Sequence, residues 1–299
     1  MTCYTRILFV AGLTLIQLSV SAQTRGPEKG ALYIHGGGQL NLAEFVELVK
    51  FQTGKARPTI QVMTTPQGPR RAGQIKNGNV FRLVATLRER FGLSDAMELF
   101  TLSRDAADDP KFFAPIETAD AVFMSGGNQC FLTDTFAGTE TLAALRRLLD
   151  RGGVIGGSSA GAQVQSSFMT RGDYGRREIL GDGEHQEGFG FVTGAAFDVH
   201  VEERGRERDL FSVFSARPAQ LQDQRIDPQK LLGVGIDQGV AITVIGNQIR
   251  VTGRGLVRIF DPLLWTDGQA PFYLELSAGD AFDLATRKRV DAAAEVSAR

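Results

Sequence analysis

From residue 31 onward the chain alternates between two hydrophobic periods. "ALYIH" is an almost continuous apolar run closed by Gly36, Gly37 and Gly38, after which Leu42, Phe45, Val46 and Val49 recur at the spacing of one helix face. "PTIQVMTT" predicts a second strand, and Val80, Leu83, Val84 and Leu87 mark one side of the helical stretch that follows. "AMELFTL" and "ADAVFMSGG" predict further strands, and "TETLAALRRLLDRGG" predicts a helix with a Thr or Glu start and a glycine stop. Parallel strands need a crossover connection between them. Strands alternating with helices therefore predict an α/β fold with a mostly parallel central sheet covered on both faces.

The texture changes near residue 231. "LLGVGID", "VAITVIGNQIRVTGRGLVRIFD" and "PFYLELSAGDAFDLAT" are β-rich, with Gly-Asn and Gly-Asp turn signals and no long helical period. They read as antiparallel strands completing the same domain, so residues 23–299 are expected to form a single α/β unit. The first 22 residues differ. Arg6 is their only charged side chain, the apolar run "ILFVAGLTLIQLSV" follows, and Val20 and Ala22 occupy small-residue cleavage positions before Gln23. This pattern predicts a secretory signal peptide cleaved near Ala22 and a secreted or periplasmic protein. The apolar run has 14 residues, short of the roughly 20 that span a bilayer, so no stable membrane anchor is expected.

A formal net charge of -1 provides no overall basic field for phosphate backbones, which argues against a nucleic-acid partner. Cys3 leaves with the signal peptide, so Cys130 is the single thiol and no internal disulfide is expected. The three histidines are scattered and Cys130 has no partner, so neither a metal site nor a cofactor is predicted. A homodimer stays open.

The candidate chemistry sits in "GGVIGGSSAGAQVQSS", residues 152 to 167, where "GSSAG" fits Gly-x-Ser-x-Gly with Ser159 at its centre. A nucleophile at a sharp strand-to-helix turn needs small neighbours, and the helix that follows aims its first amides at the same place. The competing reading is a glycine turn whose serine only caps a helix. A serine needs a base, and only His35, His185 and His200 are available. His35 in "HGGG" suggests the oxyanion loop of an α/β-hydrolase esterase, but no histidine follows residue 200 to act as that fold's late base. The glycines then read as a first βα turn bordering the site. His185, in "GDGEHQEGFG", reads as a solvated loop residue. His200 lies in "DVHVEERGRERD", where strand alternation would put Asp198, His200 and Glu202 on one face.

Five segments, "FMSGGNQ", "GGSSAGA", "GFGF", "DVHVEERGR" and "GVGIDQGVAITV", occur in the order found in the cyanophycinase and α-aspartyl dipeptidase family of serine peptidases, which the chain resembles from about residue 30 to 262. The resemblance implies a three-layer sandwich like that of class I glutamine amidotransferases, with serine in place of the elbow cysteine. It implies Ser159 as nucleophile, His200 as base, and the Gly127 and Ala160 amides as oxyanion hole. It also places Gln129, Asp198, Arg204 and Arg206 along the substrate pocket, and leaves Cys130 as a packing residue. Three departures stand out. The family's Asp-Gln-His is Asp198-Val199-His200, a further arginine after Arg-Gly-Arg gives way to Arg208 and Asp209, and Ile-Asp-Glu is Ile236-Asp237-Gln238. Gln238 thus occupies the expected acid position, with Asp173 and Asp237 as alternatives. A glutamine can orient an imidazole but cannot stabilise an imidazolium as a carboxylate does.

The resulting expectation is an exported serine peptidase that cleaves a peptide or isopeptide bond beside an aspartyl residue, such as the β-aspartyl linkage of cyanophycin, through an acyl-enzyme. A peptide or polymer is the expected partner. The alternatives are a binding protein that keeps the scaffold without turnover and an α/β-hydrolase-type esterase.

Overall fold

The computed structural model describes residues 24–69, 78–175, 178–221, 226–264 and 273–290. The expected signal peptide lies outside these residues. Along the chain, β1 (Ala31–His35), α1 (Leu42–Thr53), β2 (Ile60–Met63), α2 (Gly78–Phe91), β3 (Met97–Leu99), α3 (Arg104–Ala107), α4 (Pro110–Thr118), β4 (Ala121–Met124), α5 (Cys130–Phe136), α6 (Glu140–Asp150) and β5 (Val154–Ser158) form the first half. Local chemistry sets the boundaries of α1. The Asn41 side chain accepts the Glu44 N–H at its start, and Gly54 in the left-handed region returns its N–H to Lys50 O at its end.

The second half comprises α7 (Ala160–Gln163), β6 (Ser166–Met169), β7 (Val192–Val199), α8 (Leu210–Phe214), β8 (Leu232–Ile236), β9 (Val240–Ile245), β10 (Gln248–Gly253), β11 (Val257–Phe260), β12 (Leu274–Leu276), β13 (Ala281–Asp283) and β14 (Lys288–Val290). Among the described residues, one sheet runs β14-β13-β10-β9-β1-β5-β4-β2-β3 and a second runs β12-β11-β8-β7-β6. In the first sheet β1, β5, β4, β2 and β3 are parallel, and β9 extends it antiparallel from β1. The β-rich C-terminal segment is shared out: β9, β10, β13 and β14 complete the first sheet, while β8, β11 and β12 build the second.

Each face of the large sheet carries its own core, as parallel strands buried on both sides require. Tyr33 and Val154 pack with Phe45, Val46 and Val49 of α1 on one face. On the other, Leu32, Ile34 and Ile155 pack with Leu145 and Leu148 of α6 and with Phe197, Val234 and Ile236 of the second sheet. Phe168, Ala196 and Phe260 close the outer face of that second sheet against Leu210 and Phe214 of α8. Full burial of such side chains stabilises by roughly 1.5–3 kcal/mol each before chain entropy is counted. The consequence for chemistry is positional. The ends of β1, β4, β5, β7 and β8 meet over one region, where the turns after them collect.

Candidate active site

Strand β5 delivers Ser159 to this region. It ends at Ser158, α7 begins at Ala160, and Ser159 between them holds φ 55 and ψ -113, a conformation that side chains rarely adopt. Its N–H donates to His35 O at 3.1 Å, which pins the turn to β1. The small neighbours are needed for close approach. A Cβ on Gly157 would sit 2.0 Å from Gly161 O, and one on Gly161 would sit 2.3 Å from Met124 O. Ser159 Oγ lies 2.8 Å from His200 Nε2.

His200 reaches this position by leaving the strand. β7 ends at Val199, His200 takes φ 55, and a short 3-10 turn follows over Glu202–Arg204. The expected alternation of Asp198, His200 and Glu202 on one strand face therefore fails: β7 is flanked by β6 and β8, Asp198 is fully buried and Glu202 is exposed. The His200 N–H donates to Gly36 O at 3.0 Å. Its ring lies so close to Gly37 that a Cβ there would stand 2.0 Å from Cε1, which explains the glycine turn after β1. Burial, followed by the nearby charges of Arg204, Arg206 and His35, lowers the His200 pKa to about 4. The imidazole is therefore neutral at pH 7 and able to accept a proton.

Among the described residues the opposite ring nitrogen, His200 Nδ1, is buried with no hydrogen-bond partner. None of the three candidate orienting groups is bonded there. Asp237 is buried in an ion pair with Arg258 at 2.6 Å and accepts the Glu202 and Leu256 N–H groups, so it fastens β8 to β11 and the turn after β7. Asp173 accepts the Gly175 N–H at 2.7 Å and lines the cavity on the other side of Ser159. Gln238 packs its side chain against Gly38, where an added Cβ would lie 2.6 Å from Oε1, and its N–H donates to the Glu203 carboxylate at 3.2 Å.

Two cavities meet at Ser159. One, of about 320 Å³, is lined by Gly127, Gln129, Gln163, Arg171, Tyr174 and Arg206 among others. The second, of about 590 Å³, contains Ser125, Ser158, His200, Gln67 and Arg82. Gly127, Ser159 and Arg204 line both. Ala160 opens α7, where an N–H has no carbonyl from a preceding turn to meet. Gln129, in the lining of the smaller cavity, donates Nε2 to Thr170 O and Arg171 O at 2.9 and 2.7 Å.

Asp198 does not line either cavity. It lies beneath the first, taking Arg171 Nε and Nη2 at 2.9 and 2.8 Å and Arg206 Nη1 at 3.6 Å. Arg171 also pairs with Asp209. Burial opposes the charge on Arg171, but the two carboxylates outweigh it and raise its pKa, while burial lowers that of Arg206 to about 10. Arg171 thus brings a guanidinium to the cavity that the spacing of the arginines after His200 did not reveal. The Asp198–Arg171 contact, 27 residues apart, brings it there. Cys130 is fully buried, with its thiol pushed up to about 12 chiefly by burial. His185 is not the solvated residue expected: Nδ1 meets Asp182 and Nε2 meets Asp134, and its ring contacts Tyr174 edge to face.

His35 Nδ1 accepts the Gly37 N–H at 3.1 Å and lies 3.2 Å from Ser158 Oγ. Burial lowers its pKa to about 4, so this ring is also neutral. Among the described residues no three His, Cys, Asp or Glu side chains are placed to hold a metal ion, and no helix is long and apolar enough to cross a membrane.

Residues 79–252 match the model of peptidase family S51. The chain is 26% identical over 268 residues to a cyanophycinase of Trichormus variabilis, covering 86% of this chain and 83% of the relative. It is 29% identical over 188 residues to a cyanophycinase of Geminocystis herdmanii, covering 61% of this chain and 62% of that relative. The crystal structure of a peptidase from an acI-B1 Actinobacterium superimposes with a TM-score of 0.62 at 23% identity, over 87% of this chain and 98% of the other, which shows a shared fold. The family match covers more than half of the sequence and contains the Ser159 turn, the His200 turn and both cavities' arginines, and on that basis the chain belongs to peptidase family S51.

Proposed function

We propose that the protein is an exported serine peptidase that cleaves a peptide or isopeptide bond next to an aspartyl residue. The observation carrying this reading is the 2.8 Å contact between Ser159 Oγ, on a strained strand-to-helix turn, and the neutral His200 imidazole. In the proposed reaction Ser159 Oγ bonds to the carbonyl carbon and its proton passes to His200 Nε2. The tetrahedral oxyanion faces the Gly127 and Ala160 amides. The C–N bond then breaks, His200 returns the proton to the leaving amine, and water releases the acyl group from Ser159 by the same proton route.

Arg171, Arg204 and Arg206 around the smaller cavity favour a substrate carboxylate beside the cleaved bond, as an aspartyl peptide or the β-aspartyl linkage of cyanophycin provides. Named relatives supply the same direction: two of them are cyanophycinases. The test is a hydrolysis panel of cyanophycin, β-aspartyl dipeptides and N-terminal α-aspartyl dipeptides, run with wild type and Ser159→Ala. Turnover confined to wild type supports the reading, whereas equal turnover by the variant removes Ser159 from the mechanism.

His200 Nδ1, which meets no partner among the described residues, favours a second reading, a binding protein on the same scaffold, because no described carboxylate is bonded there to balance an imidazolium. A fluorophosphonate probe separates the two. Attachment at Ser159 supports the peptidase, and failure of the folded protein to react supports the binder.

A further inference from the structure

We propose that a third cavity, beyond Gln39, continues the substrate site and receives the carboxylates of an acidic peptide chain extending from the residue cleaved at Ser159; this rests on the peptidase reading above. The cavity has a volume of about 770 Å³, and Gln39, Leu40, Arg82 and Leu83 line both it and the cavity that holds Ser159 and His200. The two spaces therefore share one wall, and a chain leaving the serine passes directly from one into the other.

Its charge is one-sided. Arg82, Arg90 and Arg254 line it with exposed side chains, and among the described residues none of the three has an ion-pair partner. The one carboxylate in the lining, Glu44, accepts the Tyr33 hydroxyl at 3.3 Å through Oε2. Guanidinium groups are planar forks suited to carboxylates, and three of them beside one engaged acid leave a cationic surface for an anionic chain.

The walls are also tied to the machinery. Arg82 and Arg90 stand on α2, with Leu83 and Thr86 between them in the same lining. Arg254 faces them from the loop after β10, where its N–H donates to Gly239 O at 3.1 Å. The Gly239 N–H in turn donates to Gly37 O at 3.0 Å, in the turn that carries the His200 ring. The cationic wall is thus fixed two hydrogen bonds from the proton acceptor, so a chain held by Arg254 is held in register with the scissile bond.

The experiment compares Arg90→Ala/Arg254→Ala with wild type, since neither residue lines the cavity containing Ser159. Steady-state kinetics on an aspartyl dipeptide and on an acidic octapeptide with the same cleaved residue should show KM for the octapeptide raised about tenfold, a loss of roughly 1.4 kcal/mol, with the dipeptide unchanged. Equal effects on both lengths, or none on either, overturn the proposal. Fluorescence anisotropy of labelled octa-aspartate on Ser159→Ala, with and without the two arginine changes, supplies a readout that needs no turnover. Tight binding that the arginine changes weaken supports the subsite even where hydrolysis fails, and binding unaffected by them overturns it.

Discussion

Ser159 Oγ and His200 Nε2 are 2.8 Å apart, while the far nitrogen of the same imidazole, Nδ1, meets no hydrogen-bond partner among the described residues. The pair has the geometry of a nucleophile and its base without the orienting carboxylate that usually completes it. Burial, then Arg204, Arg206 and His35, lowers the His200 pKa to about 4, so the ring loses its proton far below the ordinary histidine value. With His200 as the proposed base, activity would need the neutral ring, which predicts an acid limb in kcat/KM near pH 4 instead of near 6.5. Rates for an aspartyl peptide between pH 3.5 and 8, with folding checked at each pH, test this; a midpoint near 6.5 contradicts it.

Gln238 occupies the position where the resemblance predicts a glutamate, and its side chain packs on Gly38, next to the glycine that cradles His200. A carboxylate introduced there favours the imidazolium. Gln238→Glu should raise the acid limb by about one unit, as a nearby opposite charge does, and should raise kcat. Glu203 already faces the Gln238 N–H, which limits the gain by like-charge repulsion. An unmoved acid limb would show that the side chain at 238 does not sense the ring.

These arrangements were unequally legible in the amino-acid sequence. The Ser159 turn could be read directly, because Gly157 and Gly161 flank it at the spacing that close backbone approach demands. His200 was marked by the resemblance of its segment "DVHVEERGR", but its conformation was not: a positive φ ends β7 just where alternation would continue it. Arg171 was hidden because its partners Asp198 and Asp209 are 27 and 38 residues away, and His185 because its Nε2 partner Asp134 is 51 residues away although Asp182 is close by. The divided role of the C-terminal strands was likewise invisible, since local β periodicity does not say which sheet a strand joins.

Asp198 and Arg204 separate structure from recognition. Asp198 is fully buried and holds Arg171 and Arg206, so Asp198→Asn leaves two buried guanidinium groups short of a countercharge and should cost about 3–5 kcal/mol of stability. Arg204 is exposed and lines both cavities beside Ser159. Arg204→Ala should change stability by no more than about 0.5 kcal/mol yet raise KM for an aspartyl peptide. Chemical denaturation and steady-state kinetics on both variants check the contrast, which a shared stability loss would abolish.

The histidines also oppose one another in stability. His35 and His200 have folded pKa values lowered to about 4, chiefly by burial, so the unfolded chain binds more protons between about 4 and 6.5. Their stabilising contribution is present above 6.5 and is lost as pH falls toward 4, on the order of 3 kcal/mol for each ring. His185 behaves inversely. Burial lowers its pKa, but hydrogen bonds and charges from Asp182 and Asp134 prevail and raise it. Its contribution is present below 6.5 and is lost as pH rises through the raised folded value. Wild type should therefore be most stable near neutrality, and His185→Gln should remove the neutral-to-alkaline decline in thermal stability while leaving the acid decline intact. Tyr174 lines the smaller cavity, donates its hydroxyl to Asp134 and packs edge to face on His185. The same variant should consequently raise KM more than it lowers kcat, and a melting profile parallel to wild type from pH 4 to 9 would rule out the titration of His185 as the source of the alkaline slope.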